Sequence, residues 1–303
     1  MSDTRQVRRA AIVMVSLVAV WGYAWVLTKL ALQYCGPLEL VSLRTALGAA
    51  FVLPALLWLR KPLLPAHPGE TFLVGIIQTG LFLILNTWAL SQGEPGKTSV
   101  LVFTMPFWVL MFAWPILGER IEGWGWVAVT LGAAGLLLIL EPWNLRTTLA
   151  AKIAAVLAGV CWALGVVISK RLHNRHPVEM FNFVFWQMVL GWVPVTVVAL
   201  ALHSRPIDWT PQFVALILAL GVVASAGGWL GWFYVLKRLP AGITSMSSLG
   251  VPVVALLSSA VQLGERPAAP ELAGMVLIGG ALSLISWDMI RKHREVEPLM
   301  GQE

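Results

Sequence analysis

Pro106 to Arg120 reads PFWVLMFAWPILGER and Pro252 to Arg266 reads PVVALLSSAVQLGER, so a proline followed at a fixed interval by Leu-Gly-Glu-Arg occurs twice, at an offset of 146. Upstream, Gly96, Thr98 and Ser99 match Gly242, Thr244 and Ser245 at the same offset. An internal repeat of this length decides the architecture before any single element is assigned. The echo continues toward the start of each half: Trp21 precedes Lys29 by eight residues as Trp162 precedes Lys170, Pro37-Leu38-Glu39 answers Pro177-Val178-Glu179, and Pro54 answers Pro194. The chain reads as two related units, 1–148 and 149–303. The drift of the offset from 141 to 140 to 146 places a small insertion in the loop through Ser204-Arg205-Pro206.

Hydrophobic residues make up 58% of the 303 and charged residues 12%, against roughly half and a quarter in soluble domains. The apolar residues fall into runs of about 17 to 25, the length a helix needs to cross a hydrocarbon core. The alternating ten-residue strands of a membrane barrel are not seen. Ten spans follow: 10–32, 38–59, 71–92, 97–117, 123–141, 150–170, 178–202, 212–236, 242–262 and 270–288. The expected fold is an all-α integral membrane protein. Five spans per unit is an odd number, so the second unit enters the membrane from the opposite side and the repeat is inverted. The basic start (Arg5, Arg8, Arg9) with the run from Ala10 to Leu32 is too long for a signal peptide and reads as a retained first span.

The basic residues set the orientation. With both termini in the cytoplasm, 14 of the 21 Lys and Arg fall at inner ends of spans and the other 7 at outer ends, the bias the positive-inside rule requires. Lys29 and Arg44 are assigned to outer ends and Lys170 to an inner end, each as a snorkelling anchor. This scatter along span ends also explains the net charge of +6 better than a nucleic-acid surface would. Cys35 and Cys161 give no metal or disulfide spacing and read as small apolar fillers. A labelling experiment at positions 35 and 174 would separate the two faces.

Inverted repeats place a site near the midplane, with Pro- or Gly-interrupted helices in matching positions. Spans 4 and 9, with Pro106 and Pro252, fit that description, although a purely structural kink explains the prolines as well. Deep polar side chains are few: Gln78 and Asn86 in span 3, Gln187 in span 7, and Ser245, Ser247 and Ser248 in span 9. Gln78 and Gln187 suit inter-helix glue as well as substrate contact; Asn86 is favoured for a cavity by its nearness to Trp88. Of sixteen tryptophans, Trp58, Trp124, Trp126, Trp143, Trp209 and Trp287 sit at span ends as an interfacial belt. Trp21, Trp88, Trp108, Trp162, Trp186 and Trp229 lie deeper, and Trp21 and Trp162 stand out as repeat mates. Gly132 and Gly135, answering Gly279 and Gly280, read as close-packing scaffold in spans 5 and 10.

No HExxH, GxSxG or Walker A motif occurs, so an enzyme is not expected, nor is any cofactor or metal. Glu119 and Glu265 are expected to pair locally with Arg120 and Arg266. Glu39, Glu119, Glu141, Glu179, Glu265 and Asp288 fall at span boundaries and the five histidines in loops or tails, which leaves no titrating group in the membrane interior and points to facilitated rather than proton-coupled movement.

The two five-span units, the Trp21/Lys29 and Trp162/Lys170 spacing, and the paired Pro…Leu-Gly-Glu-Arg segments resemble the drug/metabolite transporter superfamily in its EamA-type, ten-helix form. Overall similarity extends to the YddG-type bacterial inner-membrane exporters of aromatic and other neutral amino acids. The resemblance implies export by alternating access through a hydrophobic cavity lined by helices 1, 3, 4, 6, 8 and 9, from a monomer whose partners are a small-molecule substrate and the lipid bilayer. Carried onto that pattern, the substrate-binding candidates are Trp21, Asn86, Phe103, Pro106, Trp162, Trp229, Phe233, Ser245, Ser248 and Pro252. The same fold could host another drug or metabolite exporter, or a lipid-linked carrier flippase. A flippase should show a lateral opening and a basic head-group pocket, and the sequence offers no evident midplane cation.

Overall fold

The computed structural model describes residues 2–140, 149–202, 205–264 and 268–296. These form ten helical crossings without a strand among the described residues. They are α1 (Ser2–Ala31), α2 (Pro37–Trp58), α3 (Pro68–Ser91), α4 (Pro95–Leu117), α5 (Trp124–Leu140), α6 (Leu149–Arg175), α7 (Met180–Leu202), α8 (Pro211–Leu236), α9 (Ala241–Leu263) and α10 (Ala269–Val296). Eight are long and apolar enough to cross a membrane; α5 and α10 carry the shorter apolar stretches Trp124–Leu138 and Leu272–Ala281. Prolines at the first turn start α2, α3, α4 and α8, where a missing N–H costs nothing. Thr210 caps α8 by accepting from Phe213 N.

The repeat is visible in the backbone. Both α3 and α8 contain a π-helical stretch, Gly75–Leu81 and Ala219–Gly227. Both α4 and α9 break part-way along their length, after Val102 and after Ser247, and resume at Met105 and Gly250. Gly118 and Gly264 close those helices with φ of 72° and 71°, the left-handed C-cap that glycine alone adopts without strain. This is why Leu-Gly recurs in the sequence.

Pro106 cannot donate to Val102, so that carbonyl is left over. Gly159 of α6 packs onto it so closely that a Cβ would lie 2.6 Å from the oxygen. On the other side, Gly22 of α1 sits against the Val251 carbonyl and Val254 of α9. Each broken helix therefore crosses a glycine of the first helix of the opposite unit. α5 and α10 pack together at one edge, as expected, but through Gly135 against Gly274 and Ile278. Gly279 and Gly280, read as close-packing scaffold, instead have open space around them.

Three basic residues differ from their assigned role. Lys29 Nζ donates to the Leu90 and Gly93 carbonyls, 3.1 and 2.7 Å away, at the end of α3. Lys170 Nζ donates to Leu236 and Leu239, 2.7 and 2.8 Å away, at the end of α8. The acceptors are repeat mates, as are the lysines. Rather than snorkelling to the surface, each ammonium caps the negative end of a neighbouring helix. Arg44 is not at a span end at all: it is 7% exposed, inside α2. Glu119, expected to pair with Arg120, instead accepts from Gly242 N at the start of α9; Glu265 and Arg266 lie outside the described residues.

Two outcomes follow. Lys170→Met removes the donor to two carbonyls, a loss of about 1.5–3 kcal/mol for a charged hydrogen bond, and lowers the melting temperature in detergent, whereas Arg171→Met, at an exposed position, leaves it in place. The position chosen for labelling must also change. Cys35 is 1% exposed, and burial, reinforced by Glu39 and opposed by Arg205, pushes its thiol up to about 12. Because the thiolate is the reactive form, Cys35 resists maleimide at neutral pH until the protein unfolds. Gln33→Cys and Asn174→Cys, both at exposed positions, label from opposite faces; labelling of both from one face would refute the inverted arrangement.

Candidate functional site

Between the two units lies a cavity of about 60 Å³. Its walls are Trp21, Ala24, Trp25 and Thr28 of α1, Arg44 of α2, Phe82, Leu83, Asn86 and Leu90 of α3, Phe103 of α4, Trp162 of α6, and Ala224 and Trp229 of α8. The expected helix set is thus met at α1, α3, α4, α6 and α8, with α2 in place of α9.

The rings interlock. Trp162 meets Trp21 at 5.4 Å, Phe103 at 5.3 Å and Phe82 at 5.1 Å, and Trp21 meets Trp229 at 5.7 Å. Most are edge-to-face, the arrangement the ring quadrupole favours. Behind them Trp232, fully buried, lies 5.5 Å from both Trp21 and Trp162. Trp21 Nε1 donates to the Ala224 carbonyl at 2.9 Å, within the π-helical stretch of α8. Gly228 makes this approach possible, since a Cβ there would sit 2.3 Å from the indole nitrogen. The wide turns of α3 and α8 therefore shape the cavity, as π-bulges often do at functional sites.

Four polar groups in or beside this aromatic shell lack protein partners, Trp232 Nε1 among them. Asn86 Oδ1 and Trp162 Nε1 are buried with no hydrogen bond. Arg44 gives Nε to Ser225 Oγ at 3.1 Å, and its terminal nitrogens have no hydrogen bond or ion pair among the described residues. Thr28, by contrast, turns its hydroxyl to the Ala24 carbonyl.

Of the sequence candidates, Trp21, Asn86, Phe103, Trp162 and Trp229 share this cavity. The others lie outside its wall. Phe233 stacks on Trp229 and touches His173 and Phe183. Ser245 and Ser248 are fully buried and bond to carbonyls of their own helix. Pro106 and Pro252 are buried where the second segments of α4 and α9 begin. Gln78 and Gln187 are fully buried with unpartnered amides and do not reach the cavity. Trp88 is 39% exposed, so its nearness in sequence to Asn86 carries no shared environment. His173 corrects another expectation: it lies in the last turn of α6, its Nδ1 2.8 Å from Ser169 O, flanked by Phe183 and Phe233.

The profile of the EamA-like transporter family matches this chain twice, over residues 8–141 and 149–287. The chain belongs to the EamA-like transporter family. The transporter is similar to the "Uncharacterized transporter YoaV" of Bacillus subtilis, with 28% identity covering 87% of this chain and 92% of that protein. It is also similar to the "Probable amino-acid metabolite efflux pump" of Escherichia coli, with 29% identity covering 89% and 92%. A protein of known crystal structure superimposes with a TM-score of 0.78 at 18% identity, over 94% of this chain and 98% of that one; that likeness shows the fold. Membership identifies a multi-pass membrane transporter rather than an enzyme.

In this transporter the unpartnered amide is destabilising, so an apolar replacement separates stability from transport. Asn86→Leu is expected to hold or raise the melting temperature, since it removes an unsatisfied buried acceptor, and to weaken substrate affinity about two- to tenfold for one lost hydrogen bond. A drop in melting temperature with transport unchanged would make Asn86 a packing residue.

Proposed function

We propose that this transporter exports small metabolites, chiefly aromatic and other neutral amino acids, by alternating access through the cavity between α1, α2, α3, α4, α6 and α8. The observation that carries the reading is the cavity wall itself: interlocked tryptophan and phenylalanine rings interrupted by a few unpartnered polar groups. Such a wall suits a ligand with an apolar body and a small polar head. The similarity to the Escherichia coli protein named for amino-acid metabolite efflux supports the same class. The transporter acts as a monomer of two five-helix units, 1–148 and 149–303, in a bacterial inner membrane with both termini in the cytoplasm. The similarity to the "Uncharacterized inner membrane transporter YedA" of Escherichia coli favours that location.

Movement is facilitated, driven by high cytoplasmic substrate. Among the described residues no carboxylate lines the cavity, and a proton-coupled carrier needs a group that gains and loses a proton as access alternates. His173 is the nearest to such a group, although it faces Phe183 and Phe233 rather than the cavity.

One observation favours the alternative of a lipid-linked carrier: the expected absence of an interior cation is overturned by Arg44. The test is flux of labelled phenylalanine, tryptophan and leucine in liposomes holding the purified protein, with and without a pH gradient at zero membrane potential. Downhill flux of amino acids, indifferent to the gradient, is expected. Uphill accumulation that disappears in His173→Gln would replace the facilitated mechanism with proton coupling. Flux of none of the three would remove the amino-acid reading.

A further inference from the structure

An arginine inside a membrane helix is costly unless something neutralises it. Arg44 is 7% exposed and lines the cavity, yet its one side-chain hydrogen bond among the described residues is to the neutral Ser225 hydroxyl through Nε. No carboxylate comes within ion-pair range among the described residues. Glu39, on the same helix, lies in its first turn, and Glu179, at the start of the α7 that packs on α2, is engaged with Lys61 and Asn182 N.

The fold does not require this charge. Lys29 and Lys170 occur in both units and do the same work in each. Arg44 does not recur: at the offset that aligns Pro54 with Pro194, its counterpart is Val184, a buried apolar residue of α7. Asn86 is also unmatched, since its counterpart is Trp232. An unpaired cation and an unpaired acceptor thus stand in one aromatic cavity, each in one unit and not in the other.

We infer that the cavity recognises the polar end of an α-amino acid: the guanidinium of Arg44 receives the carboxylate, and Asn86 Oδ1 accepts from the ammonium. This rests on the reading of the protein as an amino-acid transporter for the ammonium half, but the carboxylate half stands on Arg44 alone. A guanidinium already tied through Nε presents its remaining donors as a fork, the geometry that binds a carboxylate in two parallel hydrogen bonds. The ammonium gains a second favourable neighbour in the faces of the indole rings. The apolar side chain is left among the same rings. Recognition is then directed at the shared head of neutral amino acids, with side-chain preference set by the fit of the aromatic wall.

The experiment compares ligands that differ only at the acid. Thermal stabilisation of the purified protein by phenylacetate, phenylacetamide and phenyl phosphate is titrated, alongside phenylalanine and phenylalaninamide flux in liposomes. In the native protein phenylacetate binds more tightly than phenylacetamide by roughly ten- to hundredfold, the range for a charged hydrogen bond, and phenylalanine moves faster than its amide. Arg44→Met abolishes both differences while leaving the protein folded, because an apolar replacement for an unpaired buried charge is tolerated. Arg44→Lys restores part of the difference. Ser225→Ala, which removes the Nε contact and keeps the charge, preserves it; loss of the difference in Ser225→Ala but not in Arg44→Met would make the residue a structural latch and overturn the inference. Equal stabilisation by acid and amide, or by neither, also overturns it. Tighter binding of phenyl phosphate than of phenylacetate would replace the carboxylate with a phosphate head group. Acid-selective binding without flux of any amino acid would keep Arg44 as an anion site and remove the amino-acid function.

Discussion

In a hydrocarbon environment every backbone N–H and C=O must find a partner within the protein, and this structure is organised around the places where its helices fail that condition. Pro106 and Pro252 interrupt α4 and α9, and π-helical stretches widen α3 and α8. Several of these places are met by a specific neighbour. Lys29 and Lys170 take the terminal carbonyls of α3 and α8, Trp21 takes Ala224, and Gly159 closes onto Val102. These answers come from helices of the other chain segments, so satisfying the backbone is also what packs the bundle.

Because the fold is built twice, its symmetry separates what the architecture needs from what the site adds. The capping lysines, the αL glycines and the helix breaks occur in both units. The cavity is where correspondence ends. Trp21 commits its indole N–H to Ala224, whereas its mate Trp162 leaves Nε1 without a partner. Phe82 corresponds to Gly228, which is the residue that lets Trp21 approach α8. A large ring in one unit is thus matched by a glycine in the other, and the space between them is asymmetric. A symmetric carrier would offer the same contacts to a ligand in either orientation; the wall of this cavity differs from end to end, with Arg44 of α2 on one side only.

The features legible in the sequence are those that covalent geometry or span length dictates. Ten apolar runs, the proline breaks, and the Leu-Gly ends of α4 and α9 each have a local cause that a single stretch of residues displays. The five aromatic and amide residues found in the cavity could be placed by depth and by the Trp21/Trp162 match. Arg44 could not. Its distance from the start of α2 resembles that of a residue near a span end, and only the packing of α2 against α7 and α8 shows that it turns inward. Ser245 and Ser248 failed for the opposite reason: a serine in an apolar helix looks polar in sequence, but its hydroxyl is consumed by the carbonyl three or four residues earlier. Glu119 likewise found its partner across the bundle, at Gly242, rather than in the adjacent arginine.

The size of the cavity bears on how such a site could cycle. A volume of about 60 Å³ accommodates roughly four to six waters, at ~10–15 Å³ for each water-sized probe, fewer heavy atoms than a phenylalanine carries. Under the proposed function, loading a substrate requires the rings to separate. Trp162 is the pivot of that shell, touching Trp21, Phe82, Phe103, Trp229 and Trp232 from five directions. Its contacts span α1, α3, α4 and α8, so ring separation at Trp162 moves both units at once. Edge-to-face pairs of ~0.5–1.5 kcal/mol each can be broken one by one and replaced by contacts with an aromatic side chain, which keeps the exchange near balance. A ligand lacking an apolar body would open the shell without replacing what it breaks, and it is this difference, more than any single hydrogen bond, that makes an aromatic wall selective.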